Sequence, residues 1–312
     1  MLAITQDSLG GPEVLKVTET DRPVPGPTEV LVRVEATSVN PTDWKTRATG
    51  GLLGAPPFTL GYDVSGVVED SGIGQALYAP GDEVFGMLRY PFGNGAYAQY
   101  VTAPSRHFAR KPPAVDHVEA AAVPLAALTA WQALVDVAGL KGGQRVLVHA
   151  AAGGVGHFAV QIAKARGAHV IGTASAGKHE FLRRLGADEL VDYRAVDFAE
   201  TVRDVNVVLD GICGDYGHRS LRVLRPGGTL VSLALSALDE KVHDEADARG
   251  IRSAAMLVEP DHAAMRTLAA LMEAGRLRPE VAAVLPLTEA AKAHELGETG
   301  RTTGKIVLTV PH

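Results

Sequence analysis

Val146-Leu-Val-His-Ala-Ala-Ala-Gly-Gly-Val-Gly156 is an apolar strand running into a turn of small residues, and the chain goes on as Phe158-Ala-Val-Gln-Ile-Ala-Lys-Ala-Arg166, a helical pattern. A second apolar strand, His169-Val-Ile-Gly-Thr173, follows. In this order the elements set a helix N-terminus, with free N–H groups and a partial positive charge, where a pyrophosphate can be held. Small side chains let the backbone come close to it. The turn reads Ala151-x-Gly153-x-x-Gly156, with alanine at the first position of the usual glycine fingerprint. A Gly-rich loop alone can be a tight turn and nothing more; the flanking strands and helix carry the reading of a dinucleotide site.

An NAD site places an acidic residue ~20 positions beyond the loop, on the adenosine ribose. Here that stretch is Thr173-Ala-Ser-Ala-Gly-Lys178, without a carboxylate. Ser175 can donate a hydrogen bond to a 2′-phosphate, and Lys178 adds positive charge. Tyr193 and Arg194 follow the next strand candidate, Glu189-Leu-Val-Asp192, and would reach the same phosphate. The pattern favours NADPH over NADH. The competing reading of Lys178 is a solvated residue opening the next helix.

Outward from this core, strand candidates Arg145–His149, His169–Thr173, Glu189–Asp192, Asn206–Leu209 and Thr229–Leu233 alternate with helical patterns. Such alternation predicts a parallel sheet with helices on both faces. Gly250–Val258 reads as a final edge strand and Asp261–Ala274 as a helix. Residues 1–118 differ: Val30–Ala36 alternates as a half-buried strand, Asp63–Glu69 and Asp82–Gly86 are further candidates, and Arg22-Pro-Val-Pro-Gly-Pro27 is a rigid connector. Frequent Gly and Pro favour a small, irregular barrel. Composition shifts near Val115, and Val118–Leu134 is Ala-rich and helical in pattern, broken at Pro124. Gly304–Val310 is a strand able to return to the first domain. The expected organisation is α/β, with residues 1–118 and 259–312 in one domain and 119–258 in the dinucleotide domain. A substrate cleft is expected between them, at the C-terminal ends of the parallel strands.

The 312 residues suffice for two domains, and a net charge of −6 with mixed signs offers no basic patch for nucleic acid. The single cysteine, Cys213, rules out an intrachain disulfide or a thiolate metal cluster. The sequence shows neither a signal-peptide pattern nor an apolar run of membrane-spanning length, so a cytoplasmic protein is expected.

Further elements complete a pattern: Gly11-Pro-Glu-Val-Leu15, Glu29-Val-Leu-Val-Arg-Val34, Val39-Asn-Pro-Thr-Asp43, Gly61-Tyr-Asp-Val-Ser-Gly-Val-Val68, Gly81-Asp-Glu-Val-Phe85, Leu128-Thr-Ala-Trp131, Leu224-Arg-Pro-Gly-Gly228 and Gly304-Lys-Ile-Val-Leu308. In order and spacing, over nearly the whole chain, these resemble the medium-chain dehydrogenase/reductase superfamily, and within it the zinc-independent quinone oxidoreductase and enoyl reductase branch. The resemblance implies a GroES-like barrel followed by a Rossmann domain. It also implies a homodimer or tetramer, commonly paired through the last Rossmann edge strand, here Ile251–Val258.

Zinc-dependent relatives carry a Cys early in the barrel and a His-Glu pair on the following strand. Here those places hold Asn40-Pro-Thr-Asp43 and Gly61-Tyr62-Asp63, and the eleven histidines show no ligand spacing, so no metal is expected. His149 reads as a structural imidazole and Cys213 as a small filler rather than a nucleophile. Without a metal, hydride transfer needs an acceptor that spreads developing negative charge, such as a quinone or enone.

The resemblance places Asn40 and Asp43 at barrel positions facing the nicotinamide ribose and substrate, and Thr129 beside the nicotinamide. The competing readings are a turn residue for Asn40, a helix cap for Asp43 and a buried hydroxyl bonded one turn back for Thr129. Tyr62, in place of a zinc-ligand histidine, is a candidate hydrogen-bond or proton donor, or else a wall residue. Trp44 can stack on a flat acceptor or pack the barrel; Lys45 and Arg47 can stabilise an enolate, though surface exposure is the reading favoured for both. Gly153, Gly154, Val155 and Gly156 are expected to line the pyrophosphate, and Leu233, Ala234 and Leu235 to pass near the nicotinamide. The loop Gly50-Gly-Leu-Leu-Gly-Ala-Pro-Pro57 lacks the tyrosine acid of several enoyl reductases of this branch. NADPH-dependent reduction of a quinone or enone is therefore the leading reading. The alternatives are an enoyl-thioester reductase of a biosynthetic pathway and a non-catalytic NADPH-binding sensor.

Overall fold

Residues 1–91, 95–233 and 240–312 are described by the computed structural model. Contacts divide the chain into residues 1–128 with 259–312, and residues 129–258. The chain begins with β1 (Leu2–Gln6), β2 (Lys16–Glu19), β3 (Glu29–Val39), α1 (Pro41–Thr49), β4 (Phe58–Thr59), β5 (Asp63–Ser71), β6 (Glu83–Met87), β7 (Tyr100–Pro104), β8 (Phe108–Arg110), α2 (His117–Ala121) and α3 (Pro124–Trp131). Then come β9 (Arg145–Val148), α4 (Gly156–Ala165), β10 (His169–Ala174), α5 (His179–Arg184), β11 (Glu189–Asp192), α6 (Phe198–Thr201), β12 (Val205–Asp210), α7 (Asp215–Val223), β13 (Leu224–Ser232), α8 (Glu240–Ala248) and β14 (Arg252–Ala255). The chain closes with α9 (His262–Glu273), β15 (Val281–Pro286), α10 (Ala290–Glu298) and β16 (Lys305–Thr309).

β3 is the spine of the first unit, a GroES-like barrel domain. Val30, Val32, Val34 and Ala36 bury completely, as the alternation in sequence predicts. Its register against β5 shifts twice, between Leu31 and Val32 and between Val34 and Ala36, and such bulges bend a strand enough to pair on several sides. The main sheet runs β15-β16-β3-β5-β6-β8 with β7 also on β3, and a smaller sheet runs β2-β1-β4. β16 returns from the far end of the chain and pairs antiparallel with β3, Ile306 opposite Val39. Ala121 and Ala122 pack with Ala36 and Val307, so α2 belongs to the barrel core, and contacts divide the chain after Leu128, inside α3, whereas the sequence reading divides it after residue 118.

The second unit is a Rossmann sheet. Its order, β11-β10-β9-β12-β13-β14, is parallel throughout. Leu147, Ile171, Val208 and Leu230 from four strands meet Phe198, Leu221 and Val242 from the helices in one core. The order reverses at β9, between β10 and β12, and such a switch point opens a crevice at the C-terminal strand ends. β13 starts at Leu224, earlier than the sequence suggests, because Leu224 already pairs with Val205. Among the described residues no helix is long and apolar enough to cross a membrane.

Candidate functional site

In the Rossmann unit the turn between β9 and α4 is shaped by backbone contacts. Ala150 takes a positive φ of 49°, and Ala151 N–H donates to Thr173 O at 3.0 Å, tying the turn to β10. Gly153 N–H returns to Ala150 O at 2.9 Å. The N–H groups of Gly154, Val155 and Gly156 meet no carbonyl among the described residues, and no acidic side chain occupies the first turn of α4. A Cβ at Gly156 would lie 2.4 Å from Ala150 O and 2.7 Å from Ala151 Cα, both backbone atoms. The helix therefore approaches the strand only because that residue has no side chain. A set of open donors at the start of a ten-residue helix fits an anionic phosphate.

At the ends of β10 and β11, Ser175 opens a short turn in which Lys178 N–H donates to Ser175 O at 2.9 Å. Lys178 is half-buried, and burial lowers its pKa; the Tyr193 phenol raises it and the Arg194 guanidinium lowers it, so the three head groups share one neighbourhood. Arg194 lies 5.7 Å from the centre of the exposed Tyr193 ring. Leu233 N–H donates to Asp210 O at 3.0 Å, carrying the β12–β13 ladder one residue beyond the strand. Ala234 and Leu235 lie outside the described residues. Asp210 is buried, which raises its pKa, and its Oδ1 accepts from Ile212 N and Cys213 N. Cys213 sits at a φ of 74°, its sulfur 3.5 Å from Ser232 Oγ.

His149 is buried between Thr173 Oγ1, 3.2 Å from Nδ1, and Ser220 Oγ, 3.1 Å from Nε2, with Phe198 and Tyr216 edge-on to its ring. Burial, followed by the Arg219 charge, pushes its pKa down to about 3. Thr129 is buried in α3.

In the barrel unit, Asn40 and Asp43 belong to a closed polar network at the start of α1. Asp43 Oδ2 accepts the Asn40 N–H at 2.7 Å, half of a capping box, and Oδ1 accepts the Gly61 N–H at 3.2 Å. The Asn40 side chain points away from the helix. Its Nδ2 donates to Asp63 Oδ2 at 2.7 Å, and its Oδ1 accepts from the Lys305 ammonium. Asp63 also accepts from Ser38 Oγ and, at 2.6 Å, from Leu125 N. Lys305 further donates to Val39 O at 3.2 Å and lies 3.6 Å from Asp63 Oδ2. Burial lowers the Lys305 pKa, opposed by Asp63 and Asp43. Burial raises that of Asp43 to about 7 against the pull of its backbone donors.

A hydrogen-bonded chain runs from Asp43 to the surface. Arg47 has only donors, so His294 Nδ1, 3.2 Å from Arg47 NH1, accepts. His294 Nε2–H then donates to the Tyr97 oxygen at 3.0 Å, and the Tyr97 hydroxyl donates to Asp43 Oδ2 at 3.5 Å. Arg47 NH2 donates to Glu298 at 2.7 Å. Sequence favoured an exposed Arg47; the structure buries it, because it shares the inward face of α1 with Asp43, α10 supplies two acceptors and its Nε donates to Gly10 O at 3.1 Å. Lys45 is exposed. Trp44 packs edge-on to His294 and against Gly297. Gly61 needs its φ of 92°, and a Cβ there would strike the Tyr97 ring at 2.4 Å.

Tyr62 is 4% exposed and stands edge-on to Tyr90, ring centres 4.9 Å apart, with Thr42 Oγ1 donating to the Tyr90 hydroxyl at 3.0 Å. Among the described residues its own hydroxyl has no partner. Burial, then Asp43 and Tyr90, raise its pKa well above the ordinary phenol value, so it stays a donor at any physiological pH. Sequence reasoning passed over Asp63 and Lys305 as functional residues. The signal was present: Lys305 is the one charge of β16, and Asp63 opens the apolar run Asp63-Val-Ser-Gly-Val-Val68. Among the described residues no group of three or more His, Cys, Asp or Glu side chains is arranged to hold a metal ion.

The alcohol dehydrogenase GroES-like domain family matches residues 26–113, and the zinc-binding dehydrogenase family residues 185–308. The quinone oxidoreductase of Coxiella burnetii is 37% identical and superposes with a TM-score of 0.94, covering 100% of this chain and 99% of its own. The Escherichia coli quinone oxidoreductase, solved in complex with NADPH, is 30% identical, with a TM-score of 0.89 over 99% of this chain and 100% of its own. A spectinabilin polyketide synthase system protein of Streptomyces orinoci is 38% identical over 91% of this chain, which spans 13% of that protein.

Proposed function

Because the chain belongs to the medium-chain dehydrogenase/reductase superfamily, in its quinone oxidoreductase branch, we propose that this oxidoreductase reduces a small quinone or other conjugated carbonyl with NADPH, without a metal. The observation that carries the cofactor half is the turn after β9: three open N–H donors, a glycine no side chain can replace and no acid in the helix's first turn. Gly153 to Gly156 would hold the pyrophosphate. Ser175, Lys178, Tyr193 and Arg194 would hold a 2′-phosphate, where the end of β10 carries no carboxylate to repel it. Thr129, Leu233, Ala234 and Leu235 are proposed to flank the nicotinamide, which supplies the hydride when bound.

On the barrel side, Tyr62 is proposed to donate a hydrogen bond or proton to the acceptor's oxygen as negative charge develops there. Asn40 and Asp43 are proposed to act by fixing the start of α1 and the backbone beside Tyr62. A quinone suits this arrangement because its charge spreads over two oxygens and needs no strong acid.

Steady-state kinetics test the reading. NADPH should have the lower KM of the two coenzymes. Lys178→Ala, removing a charge-assisted contact worth about 1.5–3 kcal/mol, should raise that KM roughly tenfold or more and leave the value for NADH unchanged. A clear preference for NADH overturns it. The likeness to the polyketide synthase protein favours a second reading, an enoyl-thioester reductase. Turnover of a crotonyl thioester above phenanthrenequinone or methyl vinyl ketone would select it.

A further inference from the structure

Tyr62 is held at three points. Leu88 N–H donates to Tyr62 O at 2.7 Å; the preceding Gly61 N–H is bound by Asp43; the following Asp63 side chain is bound by Ser38, Asn40, Leu125 N–H and Lys305. We infer that Lys305 is a positioning residue for Tyr62, acting through the Asn40 amide and the Asp63 carboxylate. The inference rests on the proposed role of Tyr62.

A buried ammonium is a costly way to fill a strand. Replacing buried ion pairs by apolar side chains is often neutral or stabilising, so packing alone does not account for a lysine with 3% of its side chain exposed between Gly304 and Ile306. The ammonium does impose one arrangement. Lys305 can only donate, so it fixes Oδ1 of Asn40; the Asp63 carboxylate then takes Nδ2, and the amide has a single orientation. With Asn40 fixed, Asp63 Oδ2 is shared by Ser38, Asn40 and Lys305 while Oδ1 takes the Leu125 N–H, which leaves the carboxylate one placement. Its backbone is covalently next to Tyr62. Without the ammonium the amide can flip and the carboxylate loses its cation, so residue 62 gains freedom through its covalent neighbour Asp63.

The test is a double-mutant cycle with phenanthrenequinone as acceptor, with NADPH affinity read by fluorescence titration and thermal midpoints recorded alongside. Lys305→Met should lower kcat/KM for the quinone about tenfold, roughly 1.4 kcal/mol, with NADPH affinity unchanged. In a Tyr62→Phe background the same substitution should cost less than about twofold, since a positioning residue has nothing left to position. Should Lys305→Met alone fail to fold, the isocharged pair Asp63→Asn with Lys305→Met enters the cycle in its place and leaves no uncompensated charge. A loss just as large in the Tyr62→Phe background, or one shared by NADPH affinity, overturns the inference while the role of Tyr62 stands. Full quinone turnover by Tyr62→Phe itself removes that role and the inference with it.

Discussion

The turn from β9 into α4 ends with three backbone N–H groups that meet no carbonyl among the described residues, while at the turn from β3 into α1 the protein's own acid, Asp43, takes the Asn40 N–H and reaches across to the Gly61 N–H. Both are strand-to-helix turns, and any helix start carries a partial positive charge that favours an acid or an anion. What differs is the third helical position. α1 places a carboxylate there and closes on itself; α4 has no acid in its first turn. The first arrangement is suited to rigidity and the second to an external anion. The same backbone physics thus yields a closed wall in the barrel and, in the sheet, the open donors that form the proposed phosphate cradle.

The largest effect should come from filling the cradle. Gly156→Val sets a side chain against two backbone atoms that have no room to move, and overpacking of this kind costs about 1–3 kcal/mol. NADPH affinity, read by fluorescence titration, should fall roughly tenfold to a hundredfold. Gly153→Ala should fall less, because its Cβ would meet only Ala150 O, at 3.2 Å. Unchanged affinity in Gly156→Val would break the comparison, for the open donors would then not be the binding surface.

A smaller effect separates what the two units share. Each holds a buried neutral imidazole whose pKa is pushed down to about 3, His149 in the sheet and His294 in the barrel. The unfolded chain takes up the proton near pH 6.5, the native one only near 3. The stability each contributes is therefore complete above pH 6.5 and is lost as pH falls toward 3. His149→Leu and His294→Leu should each flatten the acid limb of a plot of thermal midpoint against pH. His149→Leu should also cost about 1–3 kcal/mol at neutral pH by stranding the Thr173 and Ser220 hydroxyls. An unaltered acid limb in both variants would assign acid lability to other groups.

The sequence displays the cradle and conceals the wall, for a physical reason. The strand-to-helix turn proposed to hold a phosphate is local: strand, small residues and helix are contiguous from Val146 to Arg166, so periodicity and glycine spacing suffice to find the turn. The strand pattern Gly304–Val310 likewise announced β16. The barrel network is assembled from Asn40, Asp63, Tyr97, His294 and Lys305, which only the tertiary fold brings together. Asn40 and Asp43 were legible as a turn and a cap, but their buried partners were not. Arg47 is the clearest case. Its helical neighbours give no hint of burial, because its acceptors come from elsewhere: Gly10 O from the start of the chain, and the neutral His294 ring and the Glu298 carboxylate from α10.

Asp43 allows the finest test of the wall. Its pKa, raised by burial from 3.8 to about 7, means that the native state keeps a proton the unfolded chain has released. A group raised in this way favours the fold most below pH 3.8, and its contribution is lost as pH climbs toward 7, opposite in slope to the histidines. Asp43→Asn removes that titration and keeps one acceptor of two. The wild type's advantage in thermal midpoint over Asp43→Asn should therefore shrink steadily from pH 4 to about 7 and stay constant above it. An advantage that widened with pH would mean that the Asn40 and Gly61 donors overcome burial, and that the start of α1 is held by an ionised carboxylate. The wall and the cradle would then both be anion sites, one filled from within, and their difference would reduce to which side of the protein surface the anion comes from.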